Sequence, residues 1–159
     1  VRDWTSWRTA VVIAVGGNSR KAGKTSVICA LMRALPQARW TAVKITPHAH
    51  PGSQGGDTAR FLAAGAKRAL VLASAPAEWP RGNVIVESGS AGNVDLRLMV
   101  LDTTLAEFKE SARAMLDLVD AFVITRGIWD GAGRPVFHAP APAYESPELA
   151  AFIRERLGE

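Results

Sequence analysis

Residues 10–26 read AVVIAVGGNSRKAGKTS, and their order decides the fold. A β-branched apolar run ends on Gly16-Gly17, a short polar loop follows, and Gly23-Lys24-Thr25 opens a helical pattern. Glycines let a backbone wind round an anion with its N–H groups pointing inward, and a helix start adds the positive end of a dipole. The stretch therefore reads as a phosphate-binding loop. Gly17, Asn18, Ser19, Lys21, Ala22, Gly23, Lys24, Thr25 and Ser26 are its expected nucleotide contacts. Lys24 would reach the β- and γ-phosphates, and the Thr25 hydroxyl would sit on Mg²⁺. Counted from Gly17 the spacing is G-x-x-x-x-x-G-K-T, and Asn18 stands where the commoner pattern has its first glycine. A plain glycine turn beside a surface lysine would not require strand, loop, GKT and amphipathic helix to occur in this order.

Outward from this loop, strand-like and helix-like patterns alternate. They predict an α/β protein with the three-layer P-loop NTPase fold, a mostly parallel sheet flanked by helices. Residues 10–15 form the first expected strand. Val27, Ile28, Leu31 and Leu35 mark one face of a helix over 24–35, which Pro36 stops. Residues 40–45 read as a strand, 46–56 as a Pro/His/Gly loop, and Asp57 or Thr58 caps a short helix ending at Gly65. Strands are expected at 69–73, 84–86, 96–101 and 121–125. Thr104-Leu-Ala-Glu107 matches a capping box and predicts a helix with Leu105, Phe108, Ala112, Met115, Leu116 and Val119 on one face. Residues 135–138 form a strand or loop. Ser146-Pro147 begins a last helix with Leu149, Phe152, Ile153 and Leu157 facing inward. The stretch 88–95 is short for a crossover between parallel strands, so those strands pair differently or enclose a tight site loop.

The bulk composition agrees. A chain of 159 residues, 48% apolar and 21% charged, suits a single domain over 1–159 with a three-layer core. The net charge of +4 comes from scattered residues without a Lys/Arg block, so a dedicated nucleic-acid surface is not expected and polyphosphate attraction accounts for the balance. The one cysteine, Cys29, excludes an internal disulfide, fits a reducing cytoplasmic compartment and reads as a small core residue. No apolar run reaches membrane-spanning length, so no membrane association is expected.

In open α/β sheets ligands lie beyond the carboxyl ends of the strands, where Lys44, Glu87, Asp102 and Arg126 fall. Magnesium requires hard oxygen ligands, so Glu87, closing Val-Ile-Val, and Asp57, at a helix start, are the expected partners of Thr25. Their plainer readings are a strand-end surface carboxylate and a helix cap. Asp102 joins them or, with Thr103, organises a turn. Lys44 ends an apolar strand, where it either snorkels to solvent or neutralises charge in phosphoryl transfer; Lys24 and Lys44 form the expected catalytic pair. His48 and His50 make an H-x-H pair with no third metal ligand, suited to solvated loop residues or to substrate contact. Trp129 falls where a base-recognition loop would be. Trp4 and Trp7 suggest a segment that packs onto something.

The run VKITPHAH at 43–50, with GGDTARFLAAGAKRALVL at 55–72, resembles the molybdopterin-guanine dinucleotide biosynthesis protein B family. Lys44 stands at that family's strand-end lysine and His48 or His50 at its loop histidine. Gly55, Asp57, Arg60, Ala64, Gly65 and Ala66 match its next segment, with Thr58 for Ser and Gly56 for Lys. Val86-Glu87 is similar to its Val-Glu-Gly, with Ser88 for Gly. The loop spacing also resembles dethiobiotin synthetase and its amidoligase relatives, in which a strand-end lysine, an Asp and a V-E-G-A-G-G segment bind ATP and Mg²⁺; here Lys44, Asp57 and Glu87-Ser-Gly-Ser-Ala-Gly92 stand there. Thr125-Arg126-Gly127 takes the place of a base-binding segment, which adds Arg126 to the nucleotide contacts, and Pro140-Ala-Pro142 that of a further base-contacting loop. The likeness covers about 10–90. It implies a homodimer that binds GTP with Mg²⁺, hydrolyses it weakly, and assists a separate nucleotidyltransferase in attaching a guanine nucleotide to molybdopterin. The alternatives are an ATP-dependent ligase for a small carboxylate or carbamate, and a non-catalytic nucleotide-binding regulatory domain.

Overall fold

Apolar runs of four to seven residues with no polar alternation are the mark of strands covered on both faces. The computed structural model describes residues 10–47, 56–88 and 92–158. Among them β1 (Val12–Gly17), β2 (Thr41–Ile45), β3 (Arg68–Leu72), β4 (Val84–Glu87), β5 (Leu96–Asp102), β6 (Ala121–Arg126) and β7 (Val136–His138) form one sheet. Its order is β3-β2-β4-β1-β5-β6-β7, and every neighbouring pair is parallel. The helices are α1 (Lys24–Ala34), α2 (Gly56–Ala63), α3 (Glu110–Met115) and α4 (Pro147–Arg156). This is the expected three-layer α/β architecture, with the sheet parallel throughout. No helix among the described residues is long and apolar enough to cross a membrane.

One face of the sheet takes most of the helical cover. Ile13, Val15, Ala42, Ile85, Leu98, Val100 and Val123 form a buried cluster with Val27, Ile28 and Leu31 of α1, Phe61 of α2, and Leu149 and Ile153 of α4. Each Val, Leu, Ile or Phe among them contributes about 1.5–3 kcal/mol by leaving water. On the other face Met99, Leu101, Phe122 and Ile124 pack against Ala112 of α3, with Met115 and Trp129 at the margin. Ala14, Val43, Val84 and Val86 are covered there by Trp79 and Val94, which belong to connecting segments.

Several boundaries move for identifiable reasons. β1 starts two residues later than expected and runs through both glycines, because Gly16 and Gly17 pair with Met99 and Val100 of β5. α1 ends at Ala34, and Pro36–Ala38 adds a 3₁₀ turn, with the Trp40 indole N–H donating to the Leu35 carbonyl at 3.2 Å. The short 88–95 link is explained by strand order: β4 and β5 flank β1 instead of pairing with each other. β4 ends opposite Val15 and β5 begins opposite Ile13, so little length is needed.

The capping box is the main correction. Residues 104–109 are not helical, and α3 begins only at Glu110. The Asp102 carboxylate accepts from both the N–H and the hydroxyl of Thr104, at 3.0 and 2.5 Å, so Thr104 is drawn back into a turn and cannot cap. Trp4, Trp7, His48, His50, Gly55 and part of the 87–92 segment lie outside the described residues. The Ser146 cap does form, its hydroxyl oxygen accepting from the Leu149 N–H at 3.2 Å with Pro147 in the first turn. Ser146→Ala should lower unfolding free energy by about 1 kcal/mol, measured by urea denaturation; an unchanged midpoint would show that the cap contributes nothing.

Candidate functional site

β1, β2, β4 and β5 all run the same way, so their carboxyl ends share one rim. Across β2 and β4 the register sets Lys44 opposite Glu87, and across β1 and β4 it sets Glu87 opposite Val15. The loop between β1 and α1 closes over this rim. The Asn18 N–H donates to the Val100 carbonyl at 3.2 Å, the Ala22 N–H to the Ser19 carbonyl at 3.2 Å, and the Lys21 N–H to the Ser19 hydroxyl oxygen at 3.2 Å. The Thr125 hydroxyl donates to the Ala22 carbonyl at 2.6 Å and holds the end of the loop against β6.

Two glycines are required by this geometry. Gly23 has φ of 104°, a left-handed conformation, and a Cβ there would lie 2.8 Å from Cε1 of Tyr144. A Cβ on Gly17 would lie 2.9 Å from Cγ of Lys24 and 3.1 Å from the Val100 carbonyl oxygen. The Lys24 stem therefore passes through space that only a residue without a side chain leaves open. With Gly23 as N-cap, α1 has no side-chain cap and no acidic residue in its first turn. The first amides of a helix have no intrahelical acceptor, so here they retain their donor capacity and the positive dipole end.

The carboxylates and lysines expected from the sequence do come together. The Thr25 hydroxyl donates to Glu87 Oε1 at 2.5 Å, and Glu87 is buried at 7% exposure. Lys44 Nζ forms an ion pair with Asp57 and lies 3.6 Å from Glu87 Oε2. A cavity of about 590 Å³ opens over these groups, lined by the cations Arg20, Lys24, Lys44, Arg60 and Lys109 and the carboxylates Asp57 and Glu87. A second cavity, about 380 Å³, lies between the later turns of α1 and the start of α4 and shares no residue with the first.

Burial lowers the Lys24 pKa below its ordinary 10.5; Glu87 opposes this, while the nearby charges of Lys109, Lys44 and Arg20 push it further down. At Lys44 burial acts in the same downward sense, but the hydrogen bond to Asp57 and the charges of Glu87 and Asp57 outweigh it, and the pKa stands above 10.5. Cys29 is buried and its thiol is pushed up by desolvation, as befits a core residue. The donor set Thr25, Glu87 and Asp57 is all oxygen, which suits Mg²⁺ held by one or two carboxylates and completed by phosphate and water. Among the described residues no group of three His, Cys, Asp or Glu side chains would hold a metal without such help.

Other expected contacts lie elsewhere. Ser26 faces α2, its hydroxyl oxygen accepting from Arg60 Nη2 at 3.0 Å. Lys21 is exposed, and Arg126 is exposed at the end of β6 and does not line the larger cavity. Asp102 takes the turn-organising role through Thr104. Trp129 is half-buried and packs edge-on against Phe122, with centroids 5.5 Å apart at 60°, at the margin of the cluster beneath α3. Arg20 and Lys109 were not singled out by motif. Lys109 was hidden by the helix assigned to its segment, and Arg20 lies between two pattern positions that allow any residue. No protein-family model matches the chain, and no curated protein matches it significantly.

The opposed influences on Lys44 yield a direct check. Asp57→Asn removes the hydrogen-bonded carboxylate and leaves the burial, so the Lys44 pKa should fall from its raised position, read by ¹⁵N-detected NMR titration of the lysine ammonium groups. A Lys44 titration unmoved by the substitution would contradict the pairing.

Proposed function

We propose that this chain is a P-loop protein that binds a nucleoside triphosphate with Mg²⁺ and hydrolyses it slowly. The observation that carries the reading is the convergence, on one rim, of the uncapped α1 amides, the Lys24 ammonium and the hydrogen-bonded Thr25–Glu87 pair. Amide donors and a lysine in one concave site are suited to phosphate oxygens and not to a neutral ligand. The Thr25 hydroxyl and Glu87 would hold the metal with Asp57 close by, and Mg²⁺ supplies charge neutralisation of the phosphates when bound. Lys24 would bind and orient the phosphate chain. Lys44, fixed by Asp57, would face negative charge that grows during transfer, where a preorganised cation is most effective.

Within this class, the sequence likeness over 43–72 supports the finer reading: a GTP-binding accessory factor in attaching a guanine nucleotide to molybdopterin, working as a homodimer beside a nucleotidyltransferase. One observation favours a second reading, an ATP-dependent ligase. The cavity sets five cations against two carboxylates, a surplus that suits an anionic co-substrate. Titration with GTP and ATP separates the two, since a GTP preference supports the first, and an ATP preference with turnover that needs a carboxylate supports the second.

Lys24→Ala should weaken triphosphate binding by about 100-fold or more, close to 2.7 kcal/mol, with unaltered circular dichroism. Unchanged affinity by calorimetry would refute the assignment. Glu87→Gln should retain nucleotide while Mg²⁺-dependent turnover drops on the order of 100-fold; full turnover would remove Glu87 from the metal site. Because the Lys24 pKa is lowered in the free protein and a bound polyanion raises it, binding takes up protons at alkaline pH below 10.5, and affinity falls as pH rises there. Calorimetry in buffers of different ionisation enthalpy reads this uptake, and proton release would contradict it.

A further inference from the structure

The segment between β5 and α3 is held out of a helix by the Asp102–Thr104 turn and also by contacts from the opposite loop. Asn18 is 1% exposed, and its polar groups are engaged with β5 and the 102–109 segment. Nδ2 donates to the carbonyls of Asp102 at 3.0 Å and Glu107 at 3.1 Å, while Oδ1 accepts from the Asp102 N–H at 3.0 Å. The Asn18 carbonyl accepts from the Lys109 N–H at 2.9 Å, and its own N–H reaches the Val100 carbonyl. Only an amide side chain offers two donors and an acceptor in one head. Buried bonds of this kind are costly to lose, because each unpaired partner forfeits its hydration as well.

The result is that Lys109 is delivered to this cavity from the β5 side, while Lys44 enters it from the β2 side and Lys24 from the start of α1. Lys109 is also close enough to Lys24 for its charge to disfavour the Lys24 ammonium. Asp57 and Glu87 offset part of this charge, and the positive excess that remains suits a dense negative charge in the cavity.

We propose that Lys109 is a further cation of this site, one that reads the terminal phosphate of a bound triphosphate, and that Asn18 is the positioning residue that holds it there. The inference rests on the nucleotide reading above. A P-loop lysine spans the β- and γ-phosphates, so a cation sharing its cavity beside Thr25 and Glu87 meets the γ end. A diphosphate leaves that position empty. Lys109 therefore contributes to the preference for triphosphate over diphosphate, and Asn18 makes that preference depend on the contact between the two loops.

The experiment is a set of dissociation constants, with Mg²⁺ present, for GTP against GDP and ATP against ADP. The full chain is compared with Lys109→Ala, Lys109→Arg, Asn18→Ala, the Asn18→Ala/Lys109→Ala pair and Lys24→Ala. Lys109→Ala should weaken triphosphate binding about tenfold or more and leave the diphosphate nearly unchanged, with Lys109→Arg restoring most of the difference. Asn18→Ala should reproduce the lost discrimination, and the double variant should be no worse than the worse single one. If Asn18→Ala does not fold, Asn18→Asp, which lacks the donors to Asp102 and Glu107, tests the same contact. Equal weakening of both nucleotides by Lys109→Ala, or none, overturns the role of Lys109, and additive losses in the double variant overturn the positioning role of Asn18. In each of those cases, wild-type binding that Lys24→Ala abolishes leaves the nucleotide reading standing. A wild-type chain that binds no nucleotide at all overturns that reading and this inference together.

Discussion

A helix that starts with no acceptor for its first amides is the constraint from which the site follows. Gly23 gives α1 neither a capping side chain nor an acid in the first turn, and its left-handed backbone is needed to turn the loop into the helix. Nearly every stable helix satisfies these donors with a neighbouring oxygen. Here the surrounding cavity carries five cations against two carboxylates, a setting suited to an anion as the acceptor under the proposed reading. Gly17 then has to lack a side chain so that the Lys24 stem can cross it toward the same space. Thr25, one residue along the helix, meets Glu87 at the end of β4, and Glu87 in turn faces Lys44. One helix start without a side-chain cap thus lies among the ends of three strands, β1, β2 and β4.

The loop is held by neighbours that themselves contribute little charge. Thr125 ties its end to β6 through the Ala22 carbonyl, and the Tyr144 ring closes over Gly23. Asn18 ties its start to the 102–109 segment, and that bond pattern competes with local helix formation. Helix propensity and a capping box are worth only about 1 kcal/mol, whereas several buried hydrogen bonds shared between two loops outweigh it. Local preference loses to a tertiary contact at the place where the cradle is assembled.

What could be read from the chain divides along the same line. Buried parallel strands are contiguous in sequence, so their apolar runs showed the architecture, and the GKT helix start showed the loop. Lys44 and Glu87 were legible because a charge that terminates an apolar run has few reasons to be there, and Asp57 because it opens a helix after a loop. Their mutual pairing was not, since it depends on strand order: β4 lies between β1 and β2, which no local pattern states. Asn18 read as a nucleotide contact standing at a glycine's place, whereas its side chain is buried and grips a segment 84 residues away. Trp129 carried a loop-like context in sequence but packs at the margin of the core against Phe122, because β6 and α3 bring an apolar surface under it.

The most direct test is a crystal structure of the chain with Mg²⁺ and a non-hydrolysable triphosphate analogue. The account predicts phosphate oxygens on the amides that open α1, the Lys24 ammonium against the phosphate chain, and the metal between Thr25 and Glu87. A triphosphate bound at any other surface, with the β1–α1 loop and the α1 amides unligated, would contradict it.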